Sequence, residues 1–573
     1  MFLRYISYTL MLKKFRGLSL PDIFAFLLLI AIFVAFLVVG RYWAAPMQSV
    51  SPLNLSLSSL PYAALLSLSR VSIAFLICLV SSLSMGYWAA HSTAAEKIIL
   101  PLVDIGQSVP VLGFLPGLVL TFVAIFPSNR VGLEIAATLT LFTGMGWNIL
   151  LSFYGSIKTI PAEYGEITRA YGYGPMGRLL RLELPYATYG LVWNSMLSVA
   201  GGWFFLTVCE SYTLGNTPYR LVGIGSYMAL AAEKGDRIAI IAGVSLMLLL
   251  LIATDFLIWK PLLRWSRRFQ KSIITGDEEE DDKVILFFAR SERISGFFRK
   301  LRRRYADQLF VTRRKKRRAK VRSPWLQRLP YAIFLFLLLF SLWGSYQAIV
   351  LASKVPSTAW LELSLDTLYT FFRVMAVLLL SAFTMVPLGL WLGTRPHLVK
   401  RLQPILQIAS AFPMPMVFPV FISIFVWLSI PISIGSVLLM MTGAQWFLLF
   451  NVISGVAGVP EHMVEVARLS GMGPLEIMRR VYLPGAFPQI VTGLISTVGG
   501  AWNTSIVAEL VVFRGKEYFA PGIGTFIARA ASEAHYPELV ASVIVMVLVI
   551  VLINRSFWAK LYDLAQTRYR LDG

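Results

Sequence analysis

The stretch Tyr164–Pro185, YGEITRAYGYGPMGRLLRLELP, is charged and broken by Gly-Tyr-Gly-Pro and a closing Leu-Pro. The sequence on either side is almost entirely apolar. Met463–Pro484, MVEVARLSGMGPLEIMRRVYLP, repeats the same layout. A chain that avoids charge over most of its length makes the same polar, twice-interrupted segment two times.

The two stretches belong to a long internal repeat. At an offset of 299, Trp147 meets Trp446, Pro161 meets Pro460, Trp203 meets Trp502 and Glu210 meets Glu509. Glu166, Arg169, Gly172, Gly174 and Pro175 meet Glu465, Arg468, Gly471, Gly473 and Pro474. Gly223-Ile224-Gly225 meets Gly522-Ile523-Gly524. Upstream the offset is 303, pairing Arg70 with Arg373, Gly86 with Gly389, Trp88 with Trp391 and Pro110 with Pro413. A small insertion in the 390s–430s region accounts for the change on this reading.

The composition places the repeats in a membrane. Of 573 residues, 57% are hydrophobic and 14% charged, where soluble domains carry about 25% charged residues. The net charge of +22 fits Lys and Arg collected in cytoplasmic loops, and a nucleic-acid role is not favoured. The two cysteines, Cys78 and Cys209, imply no disulfide framework, and the four histidines show no ligand spacing.

A spanning helix needs about 20 apolar residues. Candidate spans run over 21–40, 68–90, 106–126, 131–154, 186–208 and 237–259. After a polar gap they resume over 330–351, 368–392, 406–428, 432–453, 485–508 and 538–555. The expected fold is therefore all-α, with about 12 transmembrane helices, six per repeat. An even number makes the two repeats parallel. The first span follows Lys13, Lys14 and Arg16 and is read as retained rather than cleaved. Both termini, the 91–100 and 393–403 loops and the two charged segments are placed inside. The 41–66, 209–236, 352–365 and 509–537 segments are placed outside. The domains expected are residues 1–261, a charged cytoplasmic linker over 262–328, and residues 329–573. The linker carries the acidic run Asp277–Asp282 and the basic runs Arg299–Arg304 and Arg313–Arg318, read as a solvated tether that meets anionic lipid, with a regulatory or partner-docking role as the alternative.

Local rules give the charged segments a shape. Pro161 and Pro460 suit a helix start, and Gly172 and Gly471 suit a left-handed stop. Pro175 and Pro474 then open a second short helix, and Pro185 and Pro484 are expected to end it. Each segment is a helix–turn–helix, with Glu166 and Arg169, or Glu465 and Arg468, one turn apart.

The spacing resembles the EAA signature of ABC-importer permeases. It reads Glu166-Ile167-Thr168, Gly172, Leu182, Leu184-Pro185, and again Glu465-Val466-Ala467, Gly471, Val481, Leu483-Pro484. The small-residue pair is degraded in the first copy and half kept in the second. The nitrate/sulfonate/taurine (bicarbonate) branch is most similar. That likeness is carried by Arg70/Arg373, by SVPVLGFLP and AFPMPMVFP, and by AWNTSIVAEL and PGIGTFI. Two permease units stand in one chain, where that branch usually has one half-size chain acting as a homodimer.

The resemblance implies a type I ABC-importer permease in the bacterial inner membrane, bringing in a small oxyanion or organosulfonate. It implies that the charged segments are coupling helices for two cytoplasmic ATPase subunits, which hold the ATP and Mg. It also implies a periplasmic solute-binding protein meeting the outside loops. The chain itself shows no Gly-x-x-x-x-Gly-Lys-Ser/Thr loop. Candidate pathway residues are Arg70, Asn194, Trp203, Glu210, Arg373, Trp502, Asn503 and Glu509. Asn194 aligns with Gly493 and Asn503 with Phe204, so an asymmetric site is expected. A secondary transporter with parallel repeats is the alternative, disfavoured because few ionisable residues fall within the spans. A scaffold or sensor would leave the paired motif without a purpose.

Overall fold

The computed structural model describes residues 30, 34–46, 54–108, 110–214, 217–269, 335, 339 and 342–568. Most of the linker expected over 262–328, most of the span expected over 21–40 and ten residues of the span expected over 330–351 lie outside these residues. The chain divides into two compact units. One comprises Met1–Ala45, Leu151–Asn194 and Ala253–Pro324; the other comprises Pro46–Leu150, Ser195–Ile252 and Trp325–Gly573.

The first repeat runs α1 (Val34–Ala44), α2 (Leu60–His91), α3 (Thr93–Ser108), α4 (Leu115–Ile125), α5 (Val131–Lys158), α6 (Ala162–Ala170), α7 (Pro175–Arg178) and α8 (Leu184–Cys209). It continues with the hairpin β1 (Ser211–Leu214) and β2 (Thr217–Arg220), then α9 (Ile224–Lys234), α10 (Arg237–Thr254) and α11 (Lys260–Arg267). The second repeat matches it: α12 (Ser357–Gly393), α13 (Pro396–Ala411), α14 (Phe418–Trp427), α15 (Ile432–Ala457), α16 (Glu461–Leu469), α17 (Pro474–Ile477) and α18 (Leu483–Ala508). The hairpin β3 (Leu510–Phe513) and β4 (Lys516–Phe519), then α19 (Ile523–Ser532), α20 (Tyr536–Ile553) and α21 (Ala559–Arg568), complete it. Among the described residues, eight helical runs are long and apolar enough to cross a membrane.

Two expected spans are not single helices. The 406–428 stretch is a pair, α13 and a second helical run over 414–427, bent by 79°. The 106–126 stretch is likewise α3, a 3-10 turn over Val111–Phe114, and α4. Proline sets the break: Pro110 and Pro413 take extended backbone just before each 3-10 turn and lack the N–H an α-helix would use there. The offset also changes here. The first repeat has 37 positions from Pro110 to Trp147 and the second has 33 from Pro413 to Trp446, so the extra length lies in the first repeat.

The Leu-Pro pairs do not end a helix as expected. Helical backbone runs unbroken over Pro175–Cys209 and Pro474–Ala508. The reason is a π turn, Leu179–Glu183 in one copy and Met478–Tyr482 in the other. Leu184 N–H bonds to Leu179 O, and Leu483 N–H to Met478 O, five residues back. The wider turn makes room for the Pro185 and Pro484 rings, which would clash with the carbonyl four residues back in an α-helix. A second π turn recurs at the same offset, over Asp255–Trp259 and Asn554–Trp558.

In the second repeat α15 packs against both α12 and α18. Leu390, Leu448, Val452, Val456, Ala486 and Ile490 form a buried cluster. Close helix approach needs small residues. A Cβ on Gly389 would lie 2.7 Å from Val452, and one on Gly455 would lie 2.9 Å from Ala486.

The sequence reading contained no strands. Each hairpin follows the helix that ends at Cys209 or Ala508 and pairs antiparallel, Ser211 with Arg220 and Leu510 with Phe519. The second turns on Arg514-Gly515, both at positive φ, the pattern of a type I′ turn. This hairpin clasps the first repeat: Arg514 N–H donates to Ala232 O on α9 at 3.0 Å.

Candidate functional site

The two charged segments fold alike, each within its own compact unit. Pro161 and Pro460 cap α6 and α16 with extended backbone. Gly172 and Gly471 then take φ of 69° and 78°, the left-handed region glycine favours. Tyr173 N–H bonds to Thr168 O and Gly172 N–H to Arg169 O, at 3.0 and 2.9 Å. Met472 N–H to Ala467 O and Gly471 N–H to Arg468 O repeat these at 3.1 and 3.0 Å. Both are Schellman closures, which satisfy the last helical carbonyls and reverse the chain. Gly174 and Gly473 lead into Pro175 and Pro474 at the first position of α7 and α17.

This geometry explains the degraded EAA pair. Thr168 and Ala467 are buried, and the Thr168 hydroxyl bonds to Gly165 O at 2.9 Å. Ala467 packs with Val459, Val464 and Ile477. The neighbouring Ile167 and Val466 are exposed, at 49% and 61%. Only the second position of the pair is confined by packing within the chain. Glu166, Arg169, Glu465 and Arg468 stand on the exposed side, as do Met176 and Leu475 of the second short helices.

Four of the pathway candidates meet in two buried polar brackets. Arg70 on α2 donates through Nε and Nη2 to the two oxygens of Glu134 on α5, at 2.8 and 2.7 Å. Its Nη1 donates to Glu210 Oε1 at 2.7 Å and to Val222 O at 2.9 Å. Ser67 donates to the same Glu210 oxygen, and Gly225 N–H donates to Glu210 Oε2 at 2.7 Å. The Ser67 hydroxyl in turn accepts from Ile224 N–H at 2.9 Å. Arg70, Glu134 and Glu210 are fully buried.

The second bracket is built on the same plan. Arg373 Nη1 donates to Glu509 Oε1 at 2.8 Å and to Pro521 O at 2.7 Å. Thr370 donates to Glu509 Oε1, Gly524 N–H donates to Glu509 Oε2, and Ile523 N–H donates to Thr370. Neither residue that the two offsets set against Glu134, Ser433 or Val437, carries a carboxylate. Each bracket ties a long helix, α2 or α12, to the residue that follows α8 or α18 and to the start of α9 or α19. All three guanidinium nitrogens of Arg70 are spent on carboxylates and a backbone carbonyl, and Arg373 Nη1 is spent in the same way.

The Gly-Ile-Gly turns gain a reason here. Gly223 and Gly522 have extended backbone, so conformation does not demand glycine. Space does, because a Cβ would overlap the carboxylate of Glu210 or Glu509. Ser67 and Thr370 were absent from the sequence candidates. They stand three residues before each arginine at the same offset, which was a readable signal.

The remaining pathway candidates separate. Trp203 and Trp502 are buried, at 2% and 1% exposure. Asn194 donates to Ser152 Oγ at 3.1 Å and Gly190 O at 3.0 Å, bonds internal to its own repeat. Asn503 accepts the Val111 N–H at 2.7 Å, capping the 3-10 turn of the other repeat. Phe204, its counterpart, has no amide to do the same. The expected asymmetry between these positions is present, as different contacts within the protein.

Long apolar helices, an internal duplication and paired glycine-closed turns define an integral membrane protein of the transport-permease class. The chain belongs to the family of binding-protein-dependent transport system inner membrane components, whose model matches residues 82–258 and again 385–559. It is similar to the bicarbonate transport system permease protein CmpB of Synechocystis, 28% identical over 33% of this chain and 65% of the relative. It is similar to the nitrate import permease protein NrtB of Leptolyngbya laminosa, 27% identical over 32% of this chain and 62% of the relative. The taurine transport system permease protein TauC of Escherichia coli is 27% identical, over 27% of this chain and 56% of the relative. Each alignment takes in less than two thirds of the relative.

Proposed function

We propose that this chain forms the membrane pathway of an ATP-driven importer, with residues 1–261 and 329–573 as its two permease units and 262–328 as the linker. The observation that carries the reading is the paired segment. In a member of this family, the same Schellman-closed turn occurs twice, with an exposed aliphatic residue, Ile167 or Val466, at the same place. Exposed apolar side chains on a rigid polar turn suit docking to a soluble partner. Each segment, carrying Glu166, Arg169, Gly172, Gly174 and Pro175 or Glu465, Arg468, Gly471, Gly473 and Pro474, docks one cytoplasmic ABC ATPase subunit. That subunit binds ATP and Mg and does the hydrolysis. Closing of the ATPase pair rocks the two units between inward- and outward-facing states.

A solute-binding protein delivers cargo on the side of the hairpins, and both termini lie in the cytoplasm. The names of the three relatives above favour a small oxyanion or organosulfonate as solute. The test is co-purification of the chain with its ATPase subunit, followed by vanadate-sensitive hydrolysis. Replacing Glu465 by Ala together with Gly471 by Val should release the subunit docked on the second segment, roughly halving the ATPase retained, while the chain stays monodisperse. Undiminished retention would overturn the docking assignment. Stimulation by nitrate, bicarbonate or taurine, but not by a quaternary-ammonium solute, is the result expected for the cargo.

A further inference from the structure

Two ion pairs in the first repeat join residues five apart. Arg178 Nε lies 2.6 Å from Glu183 Oε1, and Lys260 Nζ lies 3.1 Å from Asp255 Oδ2. In an α-helix, residues i and i+5 point to different sides. A π turn, with its i→i+5 bond, brings them into line. Both pairs close over a π turn, Leu179–Glu183 and Asp255–Trp259. Glu183 is fully buried and the Asp255 side chain nearly so, so neither carboxylate is left to water screening. Each pair therefore holds its turn in the π form.

The second repeat keeps both π turns and loses both pairs. Its residues at those positions are Ile477 and Tyr482, and Asn554 and Ala559. The pair it does have, Glu476 with Arg480 at 3.2 Å, spans four residues and is largely exposed, at 42% and 66%. Such a pair fits ordinary α spacing and is screened.

The exposed faces differ in the same sense. In the first segment Tyr171 is 74% exposed and stacks on Tyr173, with ring centroids 6.1 Å apart. Arg181 lies over the Tyr173 ring and donates to its hydroxyl at 2.7 Å. The second segment has Ser470 and Met472 at those positions, and presents Leu469 and Leu475, 88% and 83% exposed. A stacked ring keeps little rotational freedom to lose on docking, whereas free aliphatic chains lose more.

We propose that the two docking segments are unequal, the first being the preorganised, tighter site for an ABC ATPase subunit and the second the pliant, weaker one. The proposal rests on the docking reading above. The full chain, purified in lipid nanodiscs, is titrated with the isolated ATPase subunit. Ile167→Asp disables the first segment and Val466→Asp the second. The Ile167→Asp chain should bind its remaining subunit roughly tenfold more weakly than the Val466→Asp chain does. Glu183→Gln in the Val466→Asp background should weaken binding several-fold. Arg178→Met, which changes the partly exposed partner of the same ion pair, should weaken binding to the same extent. Equal affinity in the Ile167→Asp and Val466→Asp chains, with none in the double variant, overturns the inequality and leaves docking standing. Undiminished binding by the double variant overturns both.

Discussion

Arg70 in the first repeat holds two carboxylates; Arg373 in the second holds one. Around them the brackets coincide: a hydroxyl from Ser67 or Thr370, a carboxylate from Glu210 or Glu509, and the amides of Ile224 and Gly225 or Ile523 and Gly524. The shared part is made of bonds to backbone, which fix the hairpin and short helix in place. The unshared part, Glu134, adds a bidentate link to α5. With the two ion-paired π turns, the first repeat is the more strongly cross-linked copy. Duplication kept the frame and let its charge diverge.

The largest effect that separates the copies should come from the arginines. Arg70→Met leaves two buried carboxylates uncompensated and should cost at least about 3–5 kcal/mol, the range for breaking a buried pair. Arg373→Met leaves one and should cost less. Thermal unfolding of both variants in the same detergent checks this, and equal drops in Tm would erase the distinction. Next come the glycines of the shared frame. A Cβ at Gly225 would overlap Thr207 O, and one at Gly524 would overlap Ser505 O. Backbone cannot step aside, so Gly225→Ala and Gly524→Ala should each cost about 1–3 kcal/mol, by similar amounts. A clear inequality would show that the frames are not equivalent. The smallest effect should change sign between the copies. Gly235 ends α9 at φ 66°, while its counterpart Ala534 sits at φ 57°. Ala534→Gly should relieve strain and stabilise by about 1 kcal/mol or less, whereas Gly235→Ala should destabilise. Two Tm shifts of the same sign would contradict this.

The duplication, the helical class and the shape of the charged segments could be read from residues because their causes are local. Glycine at a left-handed stop and proline at a helix start act through their own backbone, and the structure puts both where the sequence placed them. Pro110, Pro413, Pro185 and Pro484 show where local reading failed. The first two break a helix that hydropathy alone joins, and the last two leave intact a helix that proline alone would end. In the second case the π turn absorbs the ring, and nothing in the Leu-Pro pair announces it. By sequence, Arg70 and Arg373 are candidates for the solute pathway. Their actual partners lie 64 to 152 positions away, beyond any local pattern.

The sequence by itself determined what each segment is. Apolar length, the fixed offsets and the breakers settle the helices, the two repeats and the turns that join them, because each follows from neighbouring residues. Only the tertiary structure decided what the charges do. Whether an arginine meets a solute, a headgroup or a carboxylate depends on which helices come together around it. In a low-dielectric interior that choice is governed by the need to pair every buried charge. Here it turned eight candidate pathway residues into two buried brackets, two buried tryptophans, one asparagine bonded within its own repeat and one bonded to the other repeat.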